Sequence, residues 1–587
     1  MERRGLSVAV LVAIALLGFG ARLLSHRAVF TADGVDLVPA DTHYYVRWAR
    51  LQLHSDGWQK RDPYLNFPGG AVVYWPPLHT RAVELFVAAF GGRDDLERAV
   101  RGAAWVDPVL SLAWLLLLGG LLLRWWGRWA AWVGTWVLAV APMAVESGPL
   151  GSADHHLHEV FGATLVTLVA AQWLARGGWR WAMVAGATAA SMRLWSPLGL
   201  IFPFVVLGAG ALDVFFRGKA RPVELLAAGA GAALVSGGAA LVYGDPTSLD
   251  LELIGGFAVL SEVGAAGLAT LVLSALRREW RDARLLLAGA VGSLALVPLL
   301  SQFARGLGQV LAEDPILKMA QESQPLWSDP VWARALLGSL LLLGPLAIVG
   351  AVVGARKDRR LLAALVPLAL FLPAAGRQAR LMYPALGCLA VVLWPGLAAL
   401  FEAFAGAAPS PRRKAFASAY VGIALGSLAL QLTADEPGPG LARHLMPALT
   451  WLRTQTPLPS SGPFAPEKPA WGVLSNHLAG HFILLFGERP VVASTFGQTK
   501  WHREANETAT RILADRDVGH ALASARALGI RYLLVYRRMP LLGVPEEESA
   551  TTAARRLVTE PVPAGVEVRY DADGVRVLEL SGTGASP

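Results

Sequence analysis

Gly151-Ser152-Ala153-Asp154-His155-His156-Leu157-His158-Glu159 runs directly into an apolar stretch that continues to about residue 175. The segment holds two carboxylates and three imidazoles. The stretch behind it approaches the length of helix that crosses a bilayer core, about 20 residues. Charged and metal-ligating groups at the mouth of a membrane span are costly and are retained where they act. Helix capping is the plain alternative, since Ser152 or Asp154 can accept from exposed amides and an acid suits a helix N-terminus. Capping accounts for one acid and leaves His155, His156, His158 and Glu159 unexplained. Metal ligation by Asp154 and His156 uses both residue types, and carboxylate plus imidazole with positions open to water suits Mn2+ or Mg2+.

The rest of the chain supplies the membrane. Of 587 residues, 54% are hydrophobic and 16% charged, with a mean hydropathy of +0.45; a soluble protein carries about a quarter charged residues. About 13 stretches are apolar enough to be spans: 6–24, 106–123, 130–145, 157–175, 180–192, 195–213, 223–243, 257–275, 284–300, 333–354, 360–374, 380–402 and 414–432. The first is expected to be a retained span rather than a signal peptide, because no clear small-residue cleavage site precedes Arg22. Every alternate loop is basic: Arg124 and Arg128; Arg176 and Arg180; Arg217, Lys219 and Arg221; Arg277, Arg278, Arg281 and Arg284; Arg356, Lys357, Arg359 and Arg360; Arg412, Arg413 and Lys414. Basic loops stay in the cytoplasm. The N-terminus is therefore expected in the cytoplasm of a multi-pass protein of the inner (plasma) membrane. The net charge of +8 lies in these loops, with no basic face for nucleic acid. The lone Cys388 excludes an intramolecular disulfide.

The same counting gathers a site. Asp41-Thr42-His43-Tyr44-Tyr45 follows the first span and the Asp154 segment follows the third, so both face away from the cytoplasm. Glu322 and Arg380 reach that side too. The expected organisation is a transmembrane domain, 1–434, with external loops 25–105 and 301–332, and a soluble extracytoplasmic domain, 435–587. In the tail, Ala442 to Arg453 reads as an amphipathic helix, Arg531 to Tyr536 as a buried strand, and Val566 to Leu580 as a hairpin around Asp573-Gly574.

Several of these motifs together resemble the STT3/AglB/PglB oligosaccharyltransferases, membrane glycosyltransferases of the GT-C type. They are Asp41-Thr42-His43-Tyr44-Tyr45, Arg61-Asp62-Pro63-Tyr64 with Pro68-Gly69-Gly70, Trp75-Pro76-Pro77-Leu78, and Gly151 to His156, where the Asp-x-His spacing is that of the archaeal branch. The resemblance extends over nearly the whole chain and implies a helical GT-C domain followed by a mixed α/β domain. It implies that Asp41, Asp154 and His156 bind the metal, and that Asp41 and Glu322, the latter in Met319-Ala320-Gln321-Glu322, grip the acceptor amide. It further implies that Arg380 binds the donor pyrophosphate; a membrane-edge anchor is the plain alternative for that arginine. The implied partners are a polyprenyl-linked oligosaccharide donor, an acceptor protein or peptide, and membrane lipids.

One departure matters. Where the family has Trp-Trp-Asp-Tyr-Gly, this chain reads Asn476-His477-Leu478-Ala479-Gly480. Asn476, His477 and Leu478 thus occupy the acceptor-recognition motif without its aromatic wall or carboxylate. The implied reaction is transfer of a glycan to protein, at asparagine. A GT-C transferase using a lipid-monophosphate sugar and a hydroxyl or lipid acceptor would not need Glu322 or a metal. A lipid-sugar transporter would place its charges near the bilayer midplane instead.

Overall fold

The computed structural model describes residues 2–581 apart from 33, 217, 251–252, 278–281, 301, 303–323, 329–336, 339, 406–440 and 497–498. Glu322 and the final apolar stretch, 414–432, lie outside the described residues, as do Arg217, Arg278, Arg281, Arg412, Arg413 and Lys414 of the basic loops. Each of the other apolar stretches carries a helix. Seven helices among the described residues are long and apolar enough to cross a membrane. The chain is a polytopic helical membrane protein with a C-terminal domain built on a sheet.

One of the remaining stretches, 130–145, is broken for an identifiable reason. The helix Arg128–Val140 stops before Pro142, and a short helix, Pro142–Glu146, follows. Proline lacks the amide that would continue the ladder, so carbonyls before it lose their partners. Arg22, fully buried, reaches two of them from the end of the first helix, donating to the carbonyls of Leu138 (3.2 Å) and Ala139 (3.1 Å), and also to that of Ala144 (2.6 Å) in the following short helix. Small residues set the helix spacing elsewhere. A Cβ on Gly186 would lie 1.9 Å from the Ala228 carbonyl oxygen, and one on Gly231 2.2 Å from that of Met183. The helices Trp179–Ser191 and Pro222–Tyr243 therefore touch along their backbones, as small residues permit between membrane helices.

In the tail, the helix Leu441–Gln455 precedes a four-stranded sheet. Its order is Gly472–Leu474, Ile530–Tyr536, Val575–Leu580, Val566–Ala572, with the first pair parallel and the others antiparallel. The hairpin turns at Asp573 and Gly574, with φ of 52° and 73°, the geometry of the tight primed turns that Asp-Gly favours.

The tail shares its core with the first loop. Tyr44, Tyr45, Trp48 and Trp75 pack in one cluster with Leu449, Trp471, Phe496 and Val535, and Phe496 meets Tyr44 and Trp75 edge-on at 4.8 and 4.7 Å. A buried ion pair fastens the two. Arg47 lies 3.2 Å from Asp62, with side chains 1% and 0% exposed, and also donates to the Pro463 carbonyl at 2.8 Å. Asp62 accepts further from the Tyr44 hydroxyl and the Tyr64 amide. Removing one partner of such a pair strands a buried charge and costs about 3–5 kcal/mol, whereas replacing both with apolar groups is often neutral. Arg47→Met is therefore expected to lower thermal stability in detergent strongly, and Arg47→Met with Asp62→Asn, which removes the stranded charge and keeps an acceptor for Tyr44 and Tyr64, to recover part of it. An R47M protein as stable as wild type would contradict this account.

Candidate active site

Two turns form the site, and backbone contacts fix them together. The Asp154 turn begins at Gly151, whose φ of +89° and closeness to Val29 leave no room for a side chain. The Gly151 carbonyl accepts from Val38 at 2.9 Å, and the Ala153 amide donates to the Thr42 hydroxyl at 3.1 Å. Asp41 sits between these contacts, in the first turn of the helix Ala40–Leu53. The Asp154 amide is held from below by Asp107 at 3.0 Å.

The helix His156–Arg176 starts without a side-chain cap. The Asp154 carboxylate faces imidazoles instead: Oδ1 is 2.7 Å from His155 Nδ1 and Oδ2 is 3.6 Å from His156 Nε2. Burial alone would raise the Asp154 pKa, but His156 and His155 beside it hold it well below the ordinary carboxylate range. Asp154, His155 and His156 can each offer a ligand atom, all within 4.8 Å of one another. His155 Nε2 is buried with no hydrogen-bond partner. A carboxylate and two imidazoles, one of them with a buried nitrogen that makes no hydrogen bond, fit a divalent cation.

From this group the network runs outward along the helix. His156 Nδ1 lies 3.3 Å from Glu159 Oε2, and its ring stacks on Tyr383 at 5.2 Å. Glu159, fully buried, accepts from Ser196 at 2.9 Å and from Arg380 at 3.3 Å. Arg380 is thus tied through one carboxylate to the imidazole beside Asp154. The chain just after Glu322 meets the same corner: the Ala379 amide donates to the Gln324 carbonyl at 2.8 Å, and Leu326 to that of Ala375 at 3.2 Å.

His158 lies behind the site. The Trp114 indole can only donate, and it reaches His158 Nδ1 at 3.2 Å. The hydrogen of His158 is then on Nε2, pointed at His79 Nδ1 at 3.0 Å.

The sequence-predicted residues divide as follows. Asp154, His156 and Arg380 come together. Asp41 is not in the cluster of potential ligands, where His155 stands; its Oδ1 accepts from Thr495 at 3.0 Å and lies 3.6 Å from His481. Asp41 is nonetheless close by: the Ala153 amide beside Asp154 donates to the hydroxyl of Thr42 beside Asp41. Glu322 lies outside the described residues. Asn476 caps the helix His477–Phe482 by accepting from Ala479, donates to the Pro540 carbonyl at 2.9 Å and accepts from Tyr536 at 3.1 Å. His477 is buried, which lowers its pKa to about 4, and Leu478 is half-buried. These bonds of Asn476 run to its own domain. Sequence reasoning assigned no roles to Glu159, His155, Tyr383, His481 or Thr495. Glu159 carried a signal, since i and i+3 share a helix face; Thr495 carried none.

No family model matches the chain. Among curated proteins, it is 27% identical over 224 residues to dolichyl-phosphooligosaccharide-protein glycotransferase 1 of Archaeoglobus fulgidus, covering 38% of this chain and 35% of that one. The match thus spans about a third of that relative's length. Among solved structures, the archaeal oligosaccharyltransferase AglB from Archaeoglobus fulgidus, in complex with an inhibitory peptide and a dolichol-phosphate, superposes with a TM-score of 0.79 at 19% identity. The superposition covers 97% of this chain and 80% of that one. The Archaeoglobus fulgidus oligosaccharyltransferase in complex with Zn and sulfate gives a TM-score of 0.71 at 19% identity, over 96% and 79% of the two chains. The resemblance to oligosaccharyltransferases read from the sequence is borne out by these matches.

Proposed function

We propose that this chain, built on the fold of the archaeal oligosaccharyltransferase, transfers a glycan from a polyprenyl-(pyro)phosphate-linked donor to an acceptor protein, at asparagine, on the outer face of the membrane. The observation that carries this reading is the continuous network Asp154–His156–Glu159–Arg380. It joins Asp154 and His156, read here as the cation-binding pair, to Arg380, read here as the phosphate-binding arginine. In this reading residues 1–434 hold the chemistry and 435–587 form the extracytoplasmic domain.

Asp154 and His156, with Asp41 and His155 at hand, would hold Mn2+ or Mg2+. When bound, the cation offsets charge gathering on the leaving pyrophosphate. Arg380 takes part of that charge, and Glu159 keeps the guanidinium aimed. An acceptor amide is a poor nucleophile because its nitrogen lone pair is delocalised into the carbonyl. Asp41 and Glu322, as paired acceptors for the two N–H groups, weaken that conjugation.

Acceptor choice supplies the test. A site built to hydrogen-bond a hydroxyl rejects ligands lacking it by large factors, and one without those partners cannot. With Asn476-His477-Leu478 in the recognition motif, preference for Asn-x-Ser/Thr is expected to be weak or altered. Purified protein with a polyprenyl-pyrophosphate-linked oligosaccharide is offered peptides carrying Thr, Ser, Ala or Val two residues after asparagine. Transfer to asparagine with similar rates across the set is the expected result. Transfer to none of them contradicts the proposed activity, and a strong preference for Thr shows that another part of the tail binds the hydroxyl.

A further inference from the structure

Asp41 receives its partners from a segment more than four hundred residues away in sequence. Thr495 Oγ1 lies 3.0 Å from Asp41 Oδ1 and 2.7 Å from His481 Nδ1. Hydrogen counting fixes the direction of both bonds. An ionised carboxylate only accepts and a hydroxyl has one hydrogen, so that hydrogen goes to Asp41. The remaining short contact then requires a hydrogen on His481 Nδ1, donated to Thr495 Oγ1. His481 is fully buried against Phe496 at 4.7 Å and Tyr44 at 5.1 Å. A hydroxyl that both accepts and donates in this way makes a polarised, charge-assisted bond to the carboxylate.

We infer that Thr495 and His481 are positioning residues that set the rotation of the Asp41 carboxylate, so that the C-terminal domain governs how Asp41 meets the divalent cation. The inference rests on the reading that Asp41 helps to hold that cation. Partners that orient a metal-binding group in this way typically govern about 10–100-fold in metal affinity or activity. It also gives the tail a task that is independent of Asn476-His477-Leu478: the tail supplies the brace for a carboxylate of the first loop.

The test uses the full-length protein in detergent, with Mn2+ affinity read by electron paramagnetic resonance of the free ion. Thr495→Val keeps the packing volume and removes the hydroxyl; Thr495→Ser keeps the hydroxyl and removes the methyl. T495V is expected to weaken Mn2+ binding by about 10–100-fold, T495S to bind like wild type, and Asp41→Asn with T495V to bind no more weakly than Asp41→Asn alone. Size-exclusion profiles and thermal unfolding check that each variant is folded. Wild-type affinity in T495V, an equal loss in T495V and T495S, or a wild-type protein that holds no Mn2+ would each overturn the inference. If the Mn2+ pattern holds and the protein transfers no glycan, the brace stands and the transferase reading fails.

Discussion

Replacing Asp154 with alanine is expected to cut glycan transfer by roughly 10²–10³-fold, the loss typical of one preorganised electrostatic group, while the protein stays folded. Asp154 is 2% exposed and lies between two imidazoles that favour its ionised form. A buried carboxylate kept charged in this way is suited to a cation, and removing it leaves Glu159 as the remaining carboxylate beside His155 and His156. Treating the wild-type protein with EDTA should stop transfer as fully, with recovery on adding Mn2+ or Mg2+. Asp41→Ala should reach a similar floor, because Asp41 has a second task at the acceptor amide. The measurement is initial transfer rate to a peptide at saturating donor, alongside thermal unfolding of each variant. Undiminished transfer in EDTA would remove the metal assignment, and an active D154A would remove this carboxylate from the chemistry.

Arg380→Ala is expected to lose about 10²–10³-fold in transfer through the charge left unopposed on the leaving group. The informative comparison is with Glu159→Ala. Glu159 accepts from Arg380 and lies beside His156, so its loss should act on both donor and cation. E159A is therefore expected to raise the donor KM and to weaken Mn2+ binding by about 10–100-fold; R380A should leave Mn2+ affinity near wild type. Glu159→Gln keeps the shape and one acceptor oxygen, and should fall between E159A and wild type. If E159A retains both Mn2+ affinity and transfer, Glu159 does not join the two halves of the site.

The membrane architecture was legible in the sequence because its cause is local. A bilayer core satisfies no backbone amides, so long apolar runs must be helical wherever they occur, and the runs found by hydropathy carry helices among the described residues. The pairing of Asp154 with His156 was legible for a related reason. Its members are neighbours at the start of one helix, and short sequence spacing nearly fixes their distances. The hairpin at Asp573-Gly574 likewise depends on backbone torsions of two residues.

Other features depend on contacts that no local pattern encodes. That Arg47 is sealed against Pro463, and that Thr495 and His481 brace Asp41, follow from docking the tail onto the first loop. Asn476 illustrates the same limit from the other side: its place in the sequence motif points to an acceptor, but packing against Tyr536 and Pro540 makes it a helix cap within its domain. Sequence alone determined which stretches form apolar helices and which short motifs bring carboxylates and imidazoles together, because hydropathy and helix periodicity act over a few residues. The tertiary structure decided which side chains share a carboxylate, because that depends on packing two segments hundreds of residues apart into one core.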